Sequence, residues 1–231
     1  MKKLISGIYK LVDGSLVQKV RFDTISNNLA NISTNGFKKD IISFHQILSM
    51  KNSSTTDFSP GAIRYTGNEL DVALETPGFF KIQTPKGMRY TRDGAFRLDA
   101  DRTLVTHNGD PVLGENGPIT INGRNVIIDR DGRVVTDNEP AGTISVVDFR
   151  NPELLRKEGS SYYFYQGEEK DIFTAENIDV QNGYIEQSNV NATVEMVKMV
   201  EALRVFESAQ KAIQCMDEIT SKMVNEVGRL Q

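Results

Sequence analysis

The sequence predicts an α+β protein in which long coiled-coil-like helices at the two ends of the chain flank an irregular antiparallel β-domain. Three observations carry that expectation. Apolar residues recur at alternating three- and four-residue spacings over the first part of the chain and again after Val190. Between these stretches, short β-forming runs alternate with glycine-containing turns. With 231 residues, 39 % of them hydrophobic and 25 % charged, the chain has enough apolar material for a buried core and reads as a soluble protein.

The amino-terminal stripe runs Met1, Leu4, Ile8, Leu11, Ser15, Gln18, Phe22, Ile25, Leu29, Ile32, and only Ser15 and Gln18 break it. Gly7 and Gly14 each cost a helix roughly 1 kcal/mol relative to Ala, so this helix needs a partner. Ser33-Thr34-Asn35-Gly36 ends it with a cluster of turn formers. Asn27, Asn28 and Asn31 fall between the seam residues, an off-stripe surface that reads either as an ordinary helix end with solvent-facing carboxamides or as one whose carboxamides donate and accept hydrogen bonds toward other chains. Ala30 permits close approach, Gly36 suits a left-handed turn, and Phe37 can anchor the chain that follows.

Residues 50–68, beginning Met50-Lys51-Asn52-Ser53-Ser54-Thr55-Thr56, read as an exposed connector. Beyond it, Phe79-Phe80-Lys81-Ile82, Val126-Ile127-Ile128 and Thr143-Ile144-Ser145-Val146-Val147 are strand candidates. Pro85-Lys86-Gly87, Asp93-Gly94, Asn108-Gly109, Asn122-Gly123 and Asp131-Gly132 supply the turns. Such spacing favours an antiparallel sandwich or irregular barrel over alternating βα units.

From Asn191 to Val227 there is neither Gly nor Pro, which favours helix. Its stripe reads Met196, Met199, Leu203, Phe206, Gln210, Ile213, Asp217, Thr220, Val224, Val227. Asn189 or Asn191 can cap it, and Glu195 adds an anion to the first turn. At 1.5 Å per residue the two helices would be roughly 45 and 55 Å long, too long to be wrapped by the β core. The expected division is residues 1–36 with 188–231 as a helical assembly domain, 37–69 as connector and 70–187 as β-rich domain.

Several kinds of chemistry are disfavoured. A net charge of -4 gives no general attraction to nucleic acid or anionic lipid. One cysteine excludes an intrachain disulfide, and two histidines exclude a His-rich metal centre. Asp129-Arg130-Asp131-Gly132 lacks the later acidic ligand of a calcium loop and reads as a hairpin turn, and Asp99-Ala100-Asp101 as a polar turn. No phosphate loop, serine elbow or zinc-protease pattern occurs, so no catalytic residue, cofactor or small-molecule substrate is expected. His45 and His107 read as surface or partly packed residues, Cys215 as a small packing residue, and Lys38-Lys39 with Lys51 as a solvated patch. Methionines 196, 199, 216 and 223 suit either core filling or contacts with several non-equivalent neighbours. Lys10 and Asp13 interrupt the apolar start, which argues against a cleaved signal peptide, and no run approaches the length of a membrane span.

Three blocks, taken in order, carry a family resemblance. Asn27-Asn28-Leu29-Ala30-Asn31-Ile32-Ser33-Thr34-Asn35-Gly36-Phe37-Lys38 resembles the amino-terminal signature of bacterial flagellar rod and hook proteins. Gly78-Phe79-Phe80 with Tyr90-Thr91-Arg92-Asp93-Gly94-Ala95-Phe96 resembles their central β-domain motif. Gly183-Tyr184-Ile185-Glu186-Gln187-Ser188-Asn189-Val190-Asn191 resembles the start of their carboxy-terminal helix. Within the family, the segments from Ser59 to Leu74 and from Asn108 to Ile119 are most similar to a proximal rod protein placed beside the distal rod. Thr76 and Arg102 stand where the family pattern favours glycine, which questions the local turn geometry.

The resemblance implies a non-enzymatic subunit of the basal-body rod. It would be exported by the flagellar type III apparatus without a cleaved signal and assembled with other rod subunits in the periplasm. Distal-rod and hook-like members of the same family, and a non-flagellar helical-hairpin adaptor, are the alternatives. The expected assembly residues are Ile25, Asn27, Asn28, Leu29, Ala30, Asn31, Ile32, Gly36 and Phe37 at one end. Ser188, Asn189, Val190, Asn191, Met199, Leu203, Phe206 and Ile213 form the set at the other.

Overall fold

A computed structural model describes residues 2–42, 55–137, 139–159, 161–175 and 177–229, with helical side chains described from residue 14 to 222. Two compact units emerge. One consists of residues 1–30, 40–55 and 191–231, the other of residues 31–39 and 56–190.

The first unit is helical. Helix α1 spans Lys2–Ala30 and helix α2 spans Ala192–Arg229. They pack side by side, with the carboxy-terminal end of α1 against the start of α2, so they run antiparallel. Asn191 caps α2: its Oδ1 accepts the Val194 N–H at 3.1 Å and its carbonyl accepts the Glu195 N–H at 3.0 Å. Ile25 and Ala202 are buried, and Met199, Phe206 and Ile213 are half-buried. Met196 and Leu203, expected on the same stripe, are instead 53 % and 42 % exposed. The inward face of α2 is the neighbouring line of Glu195, Met199, Ala202 and Phe206, which keeps Met199 and Phe206 of the expected stripe and replaces Met196 and Leu203 by the residue just before each. Cys215, expected to pack, lies exposed on the outer side.

The second unit is built on a six-stranded antiparallel sheet. Its strand order is Leu155–Glu158, Tyr162–Tyr165, Gly87–Thr91, Phe79–Thr84, Val146–Phe149, Ile172–Thr174. Successive residues of a strand face opposite ways, and both faces of this sheet carry apolar side chains. Phe80 and Val146 join one cluster with Leu74, Ile82, Leu104 and Ile144. Phe79 and Val147 join another with Tyr90, Phe149, Leu155 and Tyr163, onto which Phe58 packs edge-on. A continuous apolar run such as Phe79-Phe80 thus marks a strand covered on both sides.

Smaller pairings complete the unit. Val126–Ile128, Arg133–Thr136 and Glu139–Thr143 form a three-stranded sheet, and Asp131-Gly132 is its first turn, with Gly132 at φ 76°. In the hairpin of Phe79–Thr84 with Gly87–Thr91, Pro85 cannot take positive φ, so the left-handed residue is Gly87 at φ 101°. The connector is more ordered than the sequence suggests. Ile63–Tyr65 pairs with Tyr184–Glu186, while residues 43–54, including His45 and Lys51, lie outside the described residues.

Both departures from the family pattern are accommodated. Arg102 adopts φ 60°, the glycine-like conformation, and its guanidinium donates to the carbonyl of Ile121 at 2.6 Å and to that of Gly123. Thr76 needs no positive φ, and its Oγ1 accepts the Asp179 N–H at 3.4 Å.

Candidate functional site

The three signature blocks meet inside the β-unit around one carboxylate. Glu186 Oε1 accepts from Lys38 Nζ at 2.5 Å and from the Gly61 N–H at 2.7 Å, and Oε2 accepts from Arg92 Nε at 2.6 Å. All three ionic side chains are buried, at 1, 1 and 4 % exposure. Arg92 also donates to the carbonyls of Thr76, Gly78 and Leu74 at 2.7–2.9 Å, and Lys38 to that of Ser59 at 2.9 Å. Buried charges persist when paired and hydrogen-bonded, and here each cation has the Glu186 carboxylate and at least one backbone carbonyl as acceptors. Burial pushes the Lys38 ammonium down against the opposing pull of Glu186. The sequence reading of Lys38 as part of a solvated patch is therefore wrong. Nothing in a lone Lys-Lys pair reveals that an acid 148 positions away will meet it. Lys39 does stay at the surface, half-buried in an ion pair with Asp57 at 3.2 Å.

Close backbone contact seals the same junction. Gly36, at φ 65°, donates its N–H to the Glu186 carbonyl at 2.8 Å. A Cβ there would lie 2.4 Å from the Arg92 carbonyl carbon and the Asp93 nitrogen. Phe37 is buried beneath the Lys157 ammonium, 4.1 Å from the ring centroid.

Of the remaining predicted residues, Asn189 does not cap a helix. It ties three strands of chain together, accepting the Lys39 N–H at 2.7 Å and donating to the carbonyls of Asp57 and Ser59. Ser188 accepts the Val190 N–H at 3.3 Å, and Val190 is buried. Within the β-unit Asn31 accepts from Thr34 Oγ1 at 3.2 Å, and Ile32 is half-buried.

In the helical unit, Asn28 corrects the off-stripe expectation. It is 1 % exposed, and its amide forms a reciprocal pair with the Asp40 backbone, 2.8 Å in each direction. Its Nδ2 also approaches Glu195 Oε2 at 3.3 Å, while Glu195 Oε1 accepts from Lys198 at 2.7 Å. A carboxamide at this helix end satisfies backbone groups that an apolar residue would strand. Asn27 and Ala30 are exposed, Leu29 is half-buried and Ile25 is core.

Comparison with known proteins follows the same three segments. Residues 17–38 match the family model described as flagella basal body rod protein. Residues 73–136 match the flagellar hook protein FlgE/F/G D1 domain, and residues 181–226 the flagellar basal body rod FlgEFG protein C-terminal. The flagellar basal-body rod protein FlgG of Bacillus subtilis (strain 168) is 32 % identical, the match covering 96 % of this chain and 99 % of the relative. That of Buchnera aphidicola subsp. Schizaphis graminum is 31 % identical over 95 % and 99 %. The rod protein FlgF of Mesorhizobium japonicum is 28 % identical over 87 % and 89 %.

This chain belongs to the flagellar basal-body rod protein family. It is a structural rod subunit, assembled in the basal body with other rod subunits. The flagellar family match also gives the ion triad its meaning in sequence: Lys38, Arg92 and Glu186 fall one in each of the three matched segments. The segments are far apart along the chain, and the acid of the third meets the cations of the first two. No described helix of this rod subunit is long and apolar enough to cross a membrane.

Proposed function

We propose that the subunit is of the proximal-rod type and polymerises through α1 and α2, which form coiled-coil-like seams with neighbouring copies and pass torque along the shaft. One observation carries the reading. Val194, Met196, Val197, Val200 and Leu203 are 42–55 % exposed on the first turns of α2, while Met199, Ala202 and Phe206 already face α1. The exposed side chains lie outside the face turned to α1, interspersed with Glu201 and Arg204, and exposed apolar surface of this kind is stabilised when a neighbour covers it. Repeated contacts that do not close generate a helical filament. Asn27, Ala30, Asn191 and Leu203 are the members of the expected assembly set with most surface to offer. Ile25 and Asn28 act indirectly by fixing the end of α1, and Gly36, Phe37 and Asn189 by fixing the chain within the β-unit.

Chain length supports the proximal assignment. The alignments with the two FlgG relatives run over 258 and 264 positions against 231 residues here, so those relatives carry segments that this chain lacks. The distal-rod subunit is the member expected to need a longer connector. Export through the flagellar type III apparatus, and assembly in the periplasm, belong to the same reading.

The test is a pair of charge insertions, Val200→Asp and Leu203→Asp, scored for incorporation into purified basal bodies and for thermal unfolding. The expected outcome is loss of incorporation with an unchanged β-unit transition. Wild-type incorporation of both variants would refute the helical seam.

A further inference from the structure

A polar cavity of about 310 Å³ opens within the β-unit. Its lining includes Asn35 from the first signature block and Asp93 from the second, facing Thr106, His107, Asn108 and Tyr162. One wall is fixed by a closed ring of hydrogen bonds. Thr106 Oγ1 and the Tyr162 hydroxyl are 2.6 Å apart, Tyr162 donates to Asp110 Oδ2 at 2.8 Å, and the Asp110 N–H donates to Thr106 Oγ1 at 3.3 Å. Asp93 is held by its turn, Oδ1 accepting the Ala95 N–H at 3.1 Å. Burial pushes its carboxyl up to about 6, with Asp71 adding to the push and His107 opposing it. Asp93 is the sole acid of the lining and His107 the sole base; the remaining polar groups are hydroxyls and carboxamides, all able to accept.

We propose that this cavity is a socket for a basic side chain, a guanidinium or ammonium group, supplied by an adjoining rod subunit. A half-buried carboxylate is costly until a cation arrives, and the same shielding from water strengthens the pair once it forms. The volume sits at the bottom of the range of small-ligand sites, about 300–1,000 Å³, which suits one side chain better than a free metabolite. Asp93 also stands apart from the ion triad beside it. Arg92 is consumed by Glu186 and three carbonyls, whereas the next residue in the same motif lines the cavity. The source of the side chain rests on the rod-subunit reading; the chemistry of the socket does not.

The experiment titrates the full-length chain in dilute solution with N-acetyl-arginine amide, following the His107 imidazole and Ala95 amide resonances. The neutral isostere N-acetyl-citrulline amide is the control. The expected result is a saturable shift in the millimolar range with the arginine derivative only, weakened about tenfold or more in Asp93→Asn, as loss of a charge-assisted hydrogen bond requires. No saturable shift, or an equal response to both compounds, would overturn the socket. A photoreactive side chain in place of Asn108, irradiated in assembled rods, reads the source. An adduct with another rod subunit supports it, and normal incorporation without any such adduct rejects it. Failure of the chain to enter rods at all would overturn the rod reading, and with it the subunit source, while the titration still reports on the cation site.

Discussion

Glu186 and Arg92, 94 positions apart in sequence, sit 2.6 Å from each other with almost no exposure to water. Glu186 is one acid between two cations, so it cannot be removed without stranding both Lys38 and Arg92. Glu186→Gln keeps the shape and loses the charge. Breaking a buried ion pair from one side costs about 3–5 kcal/mol, and urea unfolding of the β-unit should report a loss of that order. Replacing all three members with apolar residues of similar volume removes the stranded cations but leaves the Gly61 N–H and the carbonyls of Ser59, Leu74, Thr76 and Gly78 without these partners, so it should be at least as damaging as the single change. A triple variant more stable than Glu186→Gln would show that these backbone bonds contribute little to the junction.

Asn28 makes a comparable prediction for the helical unit. Its side chain pairs with both the N–H and the carbonyl of Asp40. Asn28→Leu should lower stability by about 1–3 kcal/mol, since two half-buried backbone hydrogen bonds are lost at about 0.5–1.5 kcal/mol each. Amide exchange at Asp40 is the direct readout, and unchanged protection there would contradict the account.

These two residues also show what the sequence could and could not reveal. The periodicities near residues 20–32 and 192–220 identify helices because a helix repeats its environment every three or four positions, and that information is local. The Asp131-Gly132 turn is equally local. Which of two adjacent lines on α2 turns inward is not local: it is settled in the packing against α1, where Ala202 is buried and Leu203 is not. Lys38 and Asn28 are misread for the same reason. A polar residue is placed on the surface by default unless its partner can be seen, and the partners here are Glu186 and a backbone segment after a turn. The family blocks did mark the site, because each contains one member of the triad, but resemblance alone does not say that their charges meet.

Asp93 gives the pH dependence. Its folded value of about 6 lies above its ordinary 3.8, so the neutral acid is favoured in the folded state. The associated stability is fully present below about pH 3.8 and is lost as pH rises through 6; two units correspond to at most about 3 kcal/mol. Asp93→Asn keeps an acceptor for the Ala95 N–H and removes the titration. The variant should melt above the parent chain at pH 7.5 and close to it at pH 3.5. A variant less stable than the parent at pH 7.5 would mean that the carboxylate is already well compensated in the isolated chain.

Arg102 combines strain with compensation. Positive φ costs a non-glycine residue roughly 1–2 kcal/mol, while the guanidinium satisfies the carbonyls of Ile121 and Gly123. Arg102→Ala keeps the strain and loses both bonds; Arg102→Gly loses the bonds and relieves the strain. The alanine variant should therefore be the less stable of the two by about 1 kcal/mol in paired thermal melts. The reverse order would remove backbone strain from the explanation of this turn.

Gln18 is one of the two polar interruptions of the amino-terminal stripe, and its side-chain oxygen is buried without a hydrogen-bond partner. Leaving a buried acceptor unsatisfied costs about 1–3 kcal/mol. Gln18→Leu should therefore stabilise the pairing of α1 with α2, visible as slower amide exchange along residues 15–30 of the dilute chain. The same substitution separates two uses of the position. If Gln18 only weakens the isolated helix pair, the leucine variant still enters the rod. If its amide is held in reserve for a neighbouring subunit, greater monomer stability will accompany poorer incorporation, because the apolar side chain offers that neighbour nothing to bond.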